Sequence, residues 1–277
     1  MSRTRALQPA AGVVVLLGVT LLLVGCASGG SSVNPTRAEP TRAETAAAYN
    51  LQLGVAYLQQ GNLPLAKEKL ERALQQNPRD ATTHGAMALL NEKLGSLRDA
   101  DRFYRSALRL SPRNPDLTNN YAVFLCRSGN VDAALTKFSE ATRNALYRTP
   151  WRAHINAGVC LRGAKRYDEA AARFTQALRL RAGDAEAAYQ FGELELERGR
   201  PAAARQVVDQ HLAAYNATPE LLWVAARAAR ALGDRLAEER LARRLQRDFP
   251  DSPEARAAQA EPRAPAAVPQ AGSGAAS

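Results

Sequence analysis

From about residue 47 to residue 250, apolar positions recur at three- and four-residue spacing, with Ala, Leu, Arg, Glu and Gln dominating. No run alternates with the period of two that a half-buried strand needs, so the pattern predicts helices throughout. The pattern also repeats every 34 residues. Residues 47–80 carry Leu53, Gly54, Tyr57, Gly61, Ala66, Leu70, Ala73 and Pro78, and 81–114 carry Met87, Ala88, Gly95, Ala100, Tyr104, Ala107 and Pro112 in the same phase. Residues 115–148 follow with Tyr121, Ala122, Leu125, Gly129, Ala134, Phe138 and Ala141. Thr149 and Pro150 interrupt the register, which resumes in 151–184 with Ala157, Gly158, Leu161, Ala170, Phe174 and Ala177. The unit 185–218 is weaker, with Phe191, Gly192, Gly199, Ala204 and Val208, and 219–250 closes with Ala225, Ala226, Gly233 and Pro250 but has Glu238 where Ala is expected.

The anchor set has a packing rationale. Small residues at positions 8, 20 and 27 of each unit let two antiparallel helices approach, large ones at 4, 7, 11 and 24 fill between them, and Gly at 15 opens the turn. A period of 34 with these anchors is the signature of the tetratricopeptide repeat. The expected fold is all-α, a right-handed superhelical solenoid of about six helix-turn-helix repeats within residues 46–261. Asn114-Pro115, Thr149-Pro150, Thr218-Pro219 and Ser252-Pro253 each put a cap residue before a Pro at the first helical position. The last opens a short helix, 253–261, placed to cover the exposed end of repeat six.

The ends of the chain have other compositions. Arg3 and Arg5, an apolar stretch from about Ala10 to Val24, and Gly25 before Cys26 form the three parts of an export signal over residues 1–25. The stretch, with Gly12 and Gly18 inside it, is short against the roughly 20 residues of a membrane-spanning helix. Leu23-Val24-Gly25-Cys26 reads as the attachment site of a bacterial lipoprotein, with lipid on the Cys26 thiol. Ala27 and Ser28 follow, without the Asp of an inner-membrane retention signal, which favours the periplasmic face of the outer membrane. Residues 26–45, rich in Ser, Gly, Pro and Thr, read as a flexible tether, and 262–277 as a disordered tail.

The formal net charge is +10, of which Arg3 and Arg5 leave with the signal. A basic balance suggests nucleic acid, but the compartment and the lack of a basic patch interleaved with aromatics exclude it. Arg240, Arg243, Arg244 and Arg247 cluster on one helix flank, as a solvated face or as a contact for an acidic partner or anionic lipid. His84, His154 and His211 stand at packing slots, no His and carboxylate pair has metal-ligand spacing, and no phosphate loop or nucleophile signature occurs. The chain reads as a binding protein with no cofactor, metal or small-molecule substrate.

Cys126 and Cys160 fall on the first helices of adjacent repeats, at similar height along the shared seam. In an oxidising periplasm they form a disulfide, or else they pack as two free small residues. Binding falls to the concave groove, which this fold lines from positions 2, 5, 9, 12 and 13 of each first helix. Those slots hold Ala48, Leu51, Val55, Leu58 and Gln59, then Gly85 and Leu89, then Asn119, Val123 and Cys126, then Ile155 and Val159. The groove is apolar there and suits a partner helix or extended segment, unless the same residues serve only to pack neighbouring helices. Toward the other end it turns mixed, with Glu186, Tyr189, Glu193, Glu197, Trp223, Arg227 and Arg230. Leu51 and Val55 stand where a carboxylate clamp needs Lys and Asn, so the chain lacks that clamp.

The segments Leu53-Gly54-Val55-Ala56-Tyr57-Leu58-Gln59-Gln60-Gly61-Asn62, Asn119-Asn120-Tyr121-Ala122-Val123-Phe124-Leu125-Cys126, and Asn144-Ala145-Leu146-Tyr147-Arg148-Thr149-Pro150 before Asn156-Ala157-Gly158-Val159-Cys160 resemble the type IV pilus biogenesis and stability lipoproteins. That family includes secretin pilotins. The resemblance spans the signal, six repeats and the two-residue insertion, and departs in the last two repeats and the Pro-Ala tail. It implies a protein that helps the outer-membrane secretin of the pilus machine localise and assemble into its ring; from the architecture, the lipid on Cys26 would supply the address and the groove slots Leu51, Val55, Leu58, Leu89, Asn119 and Val123 would hold the secretin. Two other readings are a lipoprotein scaffold for peptidoglycan hydrolases and a lipid-anchored enzyme.

Overall fold

The computed structural model describes residues 41–260, among which the chain forms thirteen helices and no strand. The hairpins are α1 (Arg42–Gln59) with α2 (Leu63–Gln76), α3 (Ala81–Lys93) with α4 (Leu97–Leu110), and α5 (Pro115–Arg127) with α6 (Val131–Arg143). They continue as α7 (Pro150–Gly163) with α8 (Tyr167–Leu180), α9 (Ala185–Glu197) with α10 (Pro201–Ala214), and α11 (Pro219–Ala231) with α12 (Arg235–Asp248). The last helix, α13 (Pro253–Ala260), packs on α11 and α12 and buries Ala255 completely. First helices also stack on one another, α1 on α3, α3 on α5, and so on to α11, making one continuous wall. The signal segment, Cys26, the tether before residue 41 and the tail lie outside the described residues.

Close approach within each hairpin follows from its small residues. Ala66, Ala100, Ala134, Ala170 and Ala204, one per repeat at position 20, are each 0% exposed. At position 8 of repeat four, a Cβ on Gly158 would lie 2.5 Å from the Phe174 ring, so the aromatic at position 24 occupies the space a side chain would take. The turn residue at position 15 has φ between 69° and 82° in five repeats, all Gly. In repeat four that slot is Lys165, at φ 60°, in the left-handed region that non-glycine residues rarely occupy.

Three local outcomes differ from the sequence pattern. Helix α1 begins at Arg42, inside the stretch assigned to the tether through residue 45, because Thr41 and Glu44 form a capping box. The Glu44 amide donates to Thr41 Oγ1 at 3.2 Å, and the Thr41 amide donates to the Glu44 carboxylate at 2.8 Å. In repeat six, Ala237 rather than residue 238 takes the buried place, while Glu238 turns outward to pair with Arg230 at 2.7 Å. Leu53, at position 7 of the first repeat, is 44% exposed, because among the described residues no preceding repeat covers that face. The equivalent Met87 in repeat two is buried.

Cys126 on α5 and Cys160 on α7 are joined by a disulfide, with their Cα atoms 5.8 Å apart. The bridge ties together the two repeats that flank the Thr149-Pro150 insertion. Thr149 makes no side-chain capping bond, unlike Asn114 and Thr218, so α7 starts without that support.

Two measurements test this account. Leu70→Ala, in the centre of the first hairpin, should cost about 2–5 kcal/mol in chemical denaturation, whereas Leu53→Ala should cost under ~1 kcal/mol; equal losses would contradict the assigned core. Reduction of the disulfide, which closes a loop of 34 residues, should lower stability by about 3–4 kcal/mol. An unchanged denaturation midpoint after complete reduction would show that the bridge adds nothing.

Candidate functional site

On the wall of first helices, position 9 of each repeat gives Val55, Leu89, Val123 and Val159, followed by Glu193 and Arg227. Four apolar residues thus run in file, and the file ends at an ion pair in which Arg227 donates to Glu193 at 2.5 Å. A concavity of about 520 Å³ opens over the first three repeats. Val55, Leu58, Leu89 and Val123 line it, with Gly85, Ala86 and Leu117 among the other apolar contributors. Its polar rim includes Gln59, Thr82, Asn120, Glu92, Lys93 and Arg127.

The rim is electrostatically organised. Arg127 on α5 donates to Glu92 on α3 at 2.7 Å, and the Tyr104 hydroxyl donates to the other Glu92 oxygen at 3.4 Å. Burial pushes the Tyr104 phenol well above its ordinary pKa, and the Glu92 charge adds to that. Glu92 is therefore neutralised by Arg127, and Lys93 is left as an exposed cation at the rim. Similar cross-repeat pairs continue down the wall, Arg162 with Glu197 at 3.6 Å and Arg227 with Glu193. The floor is apolar, and the charges that border it mostly neutralise one another.

The six residues assigned to the groove do not occupy equivalent places. Val55, Leu89 and Val123 are half-buried on the cavity wall, whereas Leu58, also on that wall, is only 2% exposed. Leu51 packs against the first core cluster and does not line the cavity. Asn119 is 7% exposed and accepts a hydrogen bond from the Asn156 side-chain amide of α7 at 3.1 Å. Positions 5 and 12 sit in the seam between successive first helices, and position 9 turns to the open side. The charged rim went unnamed, although Glu92, Lys93 and Arg127 stand at positions 12 and 13 and could have been read there.

Other candidates have plain surroundings. Among the described residues, no group of His, Cys, Asp and Glu has the arrangement to hold a metal ion, and no helix is long and apolar enough to cross a membrane. The arginine cluster on α12 is largely paired, Arg243 with Glu239 and both Arg244 and Arg247 with Asp248. His154 and His211 are buried, and Nδ1 of each has no hydrogen-bond partner. Burial lowers the pKa of both, and Arg173 lowers that of His154 further.

Models of the tetratricopeptide repeat match residues 51–115, 86–147, 125–187 and 161–229, in agreement with the stack of hairpins. The fold and its groove define a tetratricopeptide-repeat protein. The type IV pilus assembly protein PilF of Pseudomonas aeruginosa is 32% identical over 251 residues, covering 91% of this chain and 98% of that one. The chain belongs to the type IV pilus biogenesis family of tetratricopeptide-repeat proteins that includes PilF. A solved structure of P. aeruginosa PilF shares 29% identity and superposes with a TM-score of 0.62, covering 80% of this chain and all of that one. The type IV pilus biogenesis factor PilW has the same fold, with a TM-score of 0.63 and 22% identity over 77% of this chain and 98% of its own.

The histidines make a pH test. Both pKa values lie below the ordinary 6.5 in the folded protein, so on acidification the unfolded chain takes up protons that the native state refuses. Stability should be flat above about pH 7 and fall as pH drops through about 6.5 toward the lowered native values. A His154→Leu/His211→Ala double variant should lose this part of the decline when denaturation midpoints are compared at pH 7.5 and 5.5. An identical decline in both proteins would assign it to other groups.

Proposed function

We propose that this protein is an outer-membrane lipoprotein, anchored through lipid on Cys26, that holds an apolar segment of the type IV pilus secretin in its concave groove and so assists secretin localisation and ring assembly. The observation that carries the reading is the apolar file Val55, Leu89 and Val123 along an open cavity with a mostly neutralised rim. Such a surface buries apolar side chains of a partner without stranding a charge. Membership in a pilus biogenesis family supplies the machine, and the sequence around Cys26 supplies the address. The role is one of binding, with no catalysis and no cofactor beyond the covalent lipid.

The groove and the anchor are tested separately. Val55→Ser with Leu89→Ser should weaken binding of secretin segments by about 1–3 kcal/mol, leave the melting temperature nearly unchanged, and shift secretin in cells from heat-resistant multimer to monomer. Normal melting together with normal multimers would remove the groove from the mechanism. Cys26→Ala should leave the repeats folded but release the protein from the outer-membrane fraction, and persistence there after signal cleavage would defeat the anchor. Loss of pili and twitching with normal division separates this role from a scaffold for peptidoglycan hydrolases, whose loss would disturb septation.

A further inference from the structure

Antiparallel hairpins sort the loops of the solenoid onto two edges. Loops between repeats, where second helices end and first helices begin, lie on one edge, and the glycine turns within repeats lie on the other. The start of α1 belongs to the first edge, since Asn50 in its N-terminal half bonds to Gln76, the last residue of α2, at 2.9 Å. The described chain therefore begins on the inter-repeat edge.

That edge is both apolar and basic across repeats two to four. Leu110 ends α4 and is 36% exposed, Leu180 ends α8 and is 45% exposed, and Leu146, in the loop between α6 and α7, is 77% exposed. Leu146 stands on a built loop. Asn144 donates its side-chain amide to the Arg113 carbonyl of the neighbouring loop at 2.8 Å and accepts from the Leu146 amide at 2.9 Å, while the next residue, Tyr147, is buried. Arg113 and Arg148 share a shallow concavity with Leu146 and with one acid, Asp116, so the concavity keeps a net positive charge. Among the described residues neither arginine has a carboxylate partner, and Arg109 and Arg143 bond only to Ser106 and to the Ser139 carbonyl. All four arginines are exposed. Elsewhere on the molecule exposed arginines such as Arg105, Arg127 and Arg243 are paired with acids.

We propose that the inter-repeat edge of repeats two to four is a membrane-contact surface, which lays Leu146 into the interface of an anionic bilayer with Arg109, Arg113, Arg143 and Arg148 on the lipid phosphates. Projecting apolar side chains ringed by unpaired cations are the chemistry of interfacial binding to anionic lipid. Fourteen residues lie between Cys26 and Thr41, which span at most roughly 50 Å in any conformation, so a lipid anchor on Cys26 would keep this edge near the bilayer. The contact would set the solenoid edge-on and leave the concave groove facing along the membrane, open to a partner embedded there. This orientation leans on the reading of Cys26 as anchor, whereas the lipid affinity of the edge does not.

The test uses the mature full chain with Cys26→Ala, which carries no lipid and so reports the edge alone, sedimented with vesicles of phosphatidylglycerol and phosphatidylethanolamine. The chain should pellet with these vesicles, stay in solution with phosphatidylcholine vesicles, and be released by 0.5 M salt, on the order of the concentration that shortens screening to a few ångströms. Arg113→Gln with Arg148→Gln should weaken partition about 25-fold, at roughly five-fold per cation, and Leu146→Ser should weaken it several-fold, all with unchanged melting temperature. Arg98→Gln with Lys165→Gln, an equal charge change on the opposite edge, should leave partition as it was. Failure to bind anionic vesicles would overturn the proposal, as would equal loss from either pair, since bulk charge would then account for the binding. The anchor is read independently, by the mass of the native Cys26 peptide: an unacylated Cys26 with an active edge would refute the anchor alone.

Discussion

The distance at which two antiparallel helices can pack sets the rest of this molecule. Alanines at position 20 with no exposed surface, and glycines or alanines at position 8, bring the helices of each hairpin together, and Phe138, Phe174 or Leu70 at position 24 fills the remaining space. Because every hairpin is built to the same distance, each presents the same uncovered face to the next, and stacking becomes the way to bury it. The first helices then line up as a wall. Every feature with a functional reading follows from that wall, including the file at position 9, the seam at positions 5 and 12, and the disulfide across the seam.

A stack of this kind divides its surface into regions with different chemistry. On the concave side, Val55, Leu89 and Val123 are apolar and the neighbouring charges are consumed by cross-repeat pairs such as Arg127 with Glu92. Exposed ion pairs add little stability; their effect here is to leave Lys93 as the one unpaired charge among Glu92, Lys93 and Arg127 at the border of the apolar groove. On the inter-repeat edge the opposite holds, since Arg113 and Arg148 share their concavity with a single acid, Asp116, and neither forms an ion pair with it among the described residues. One surface suits an apolar protein segment and the other an anionic layer, and the hairpin topology puts the start of the described chain on the second.

The repeats that flank the two-residue insertion are where regularity is broken and restored. Lys165 holds a left-handed turn that Gly holds in the five other repeats, and Thr149 gives α7 no side-chain cap. The Cys126–Cys160 bridge crosses this same place. The loop that leads into the insertion is tied down by Asn144 and the buried Tyr147, so that what it presents to the outside is Leu146.

Much of this was legible in the sequence because a repeat reports itself many times over. The 34-residue period, the small residues at fixed slots, the caps at Asn114 and Thr218 and the turn glycines each recur, and their agreement determined the fold. What the period could not convey is which way a given slot faces once neighbours are present. Leu53 shares its slot with buried Met87 yet is exposed, because among the described residues no hairpin stacks on that side of the first repeat. Asn119 and Leu58 were assigned to the groove by slot and are buried, because positions 5 and 12 close against the adjacent first helix. Glu238 falls on an alanine slot, yet Ala237 is the buried residue there and Glu238 pairs with Arg230. Burial, ion pairing and the shape of the cavity are properties of contacts between repeats, and those contacts exist only once the stack has formed.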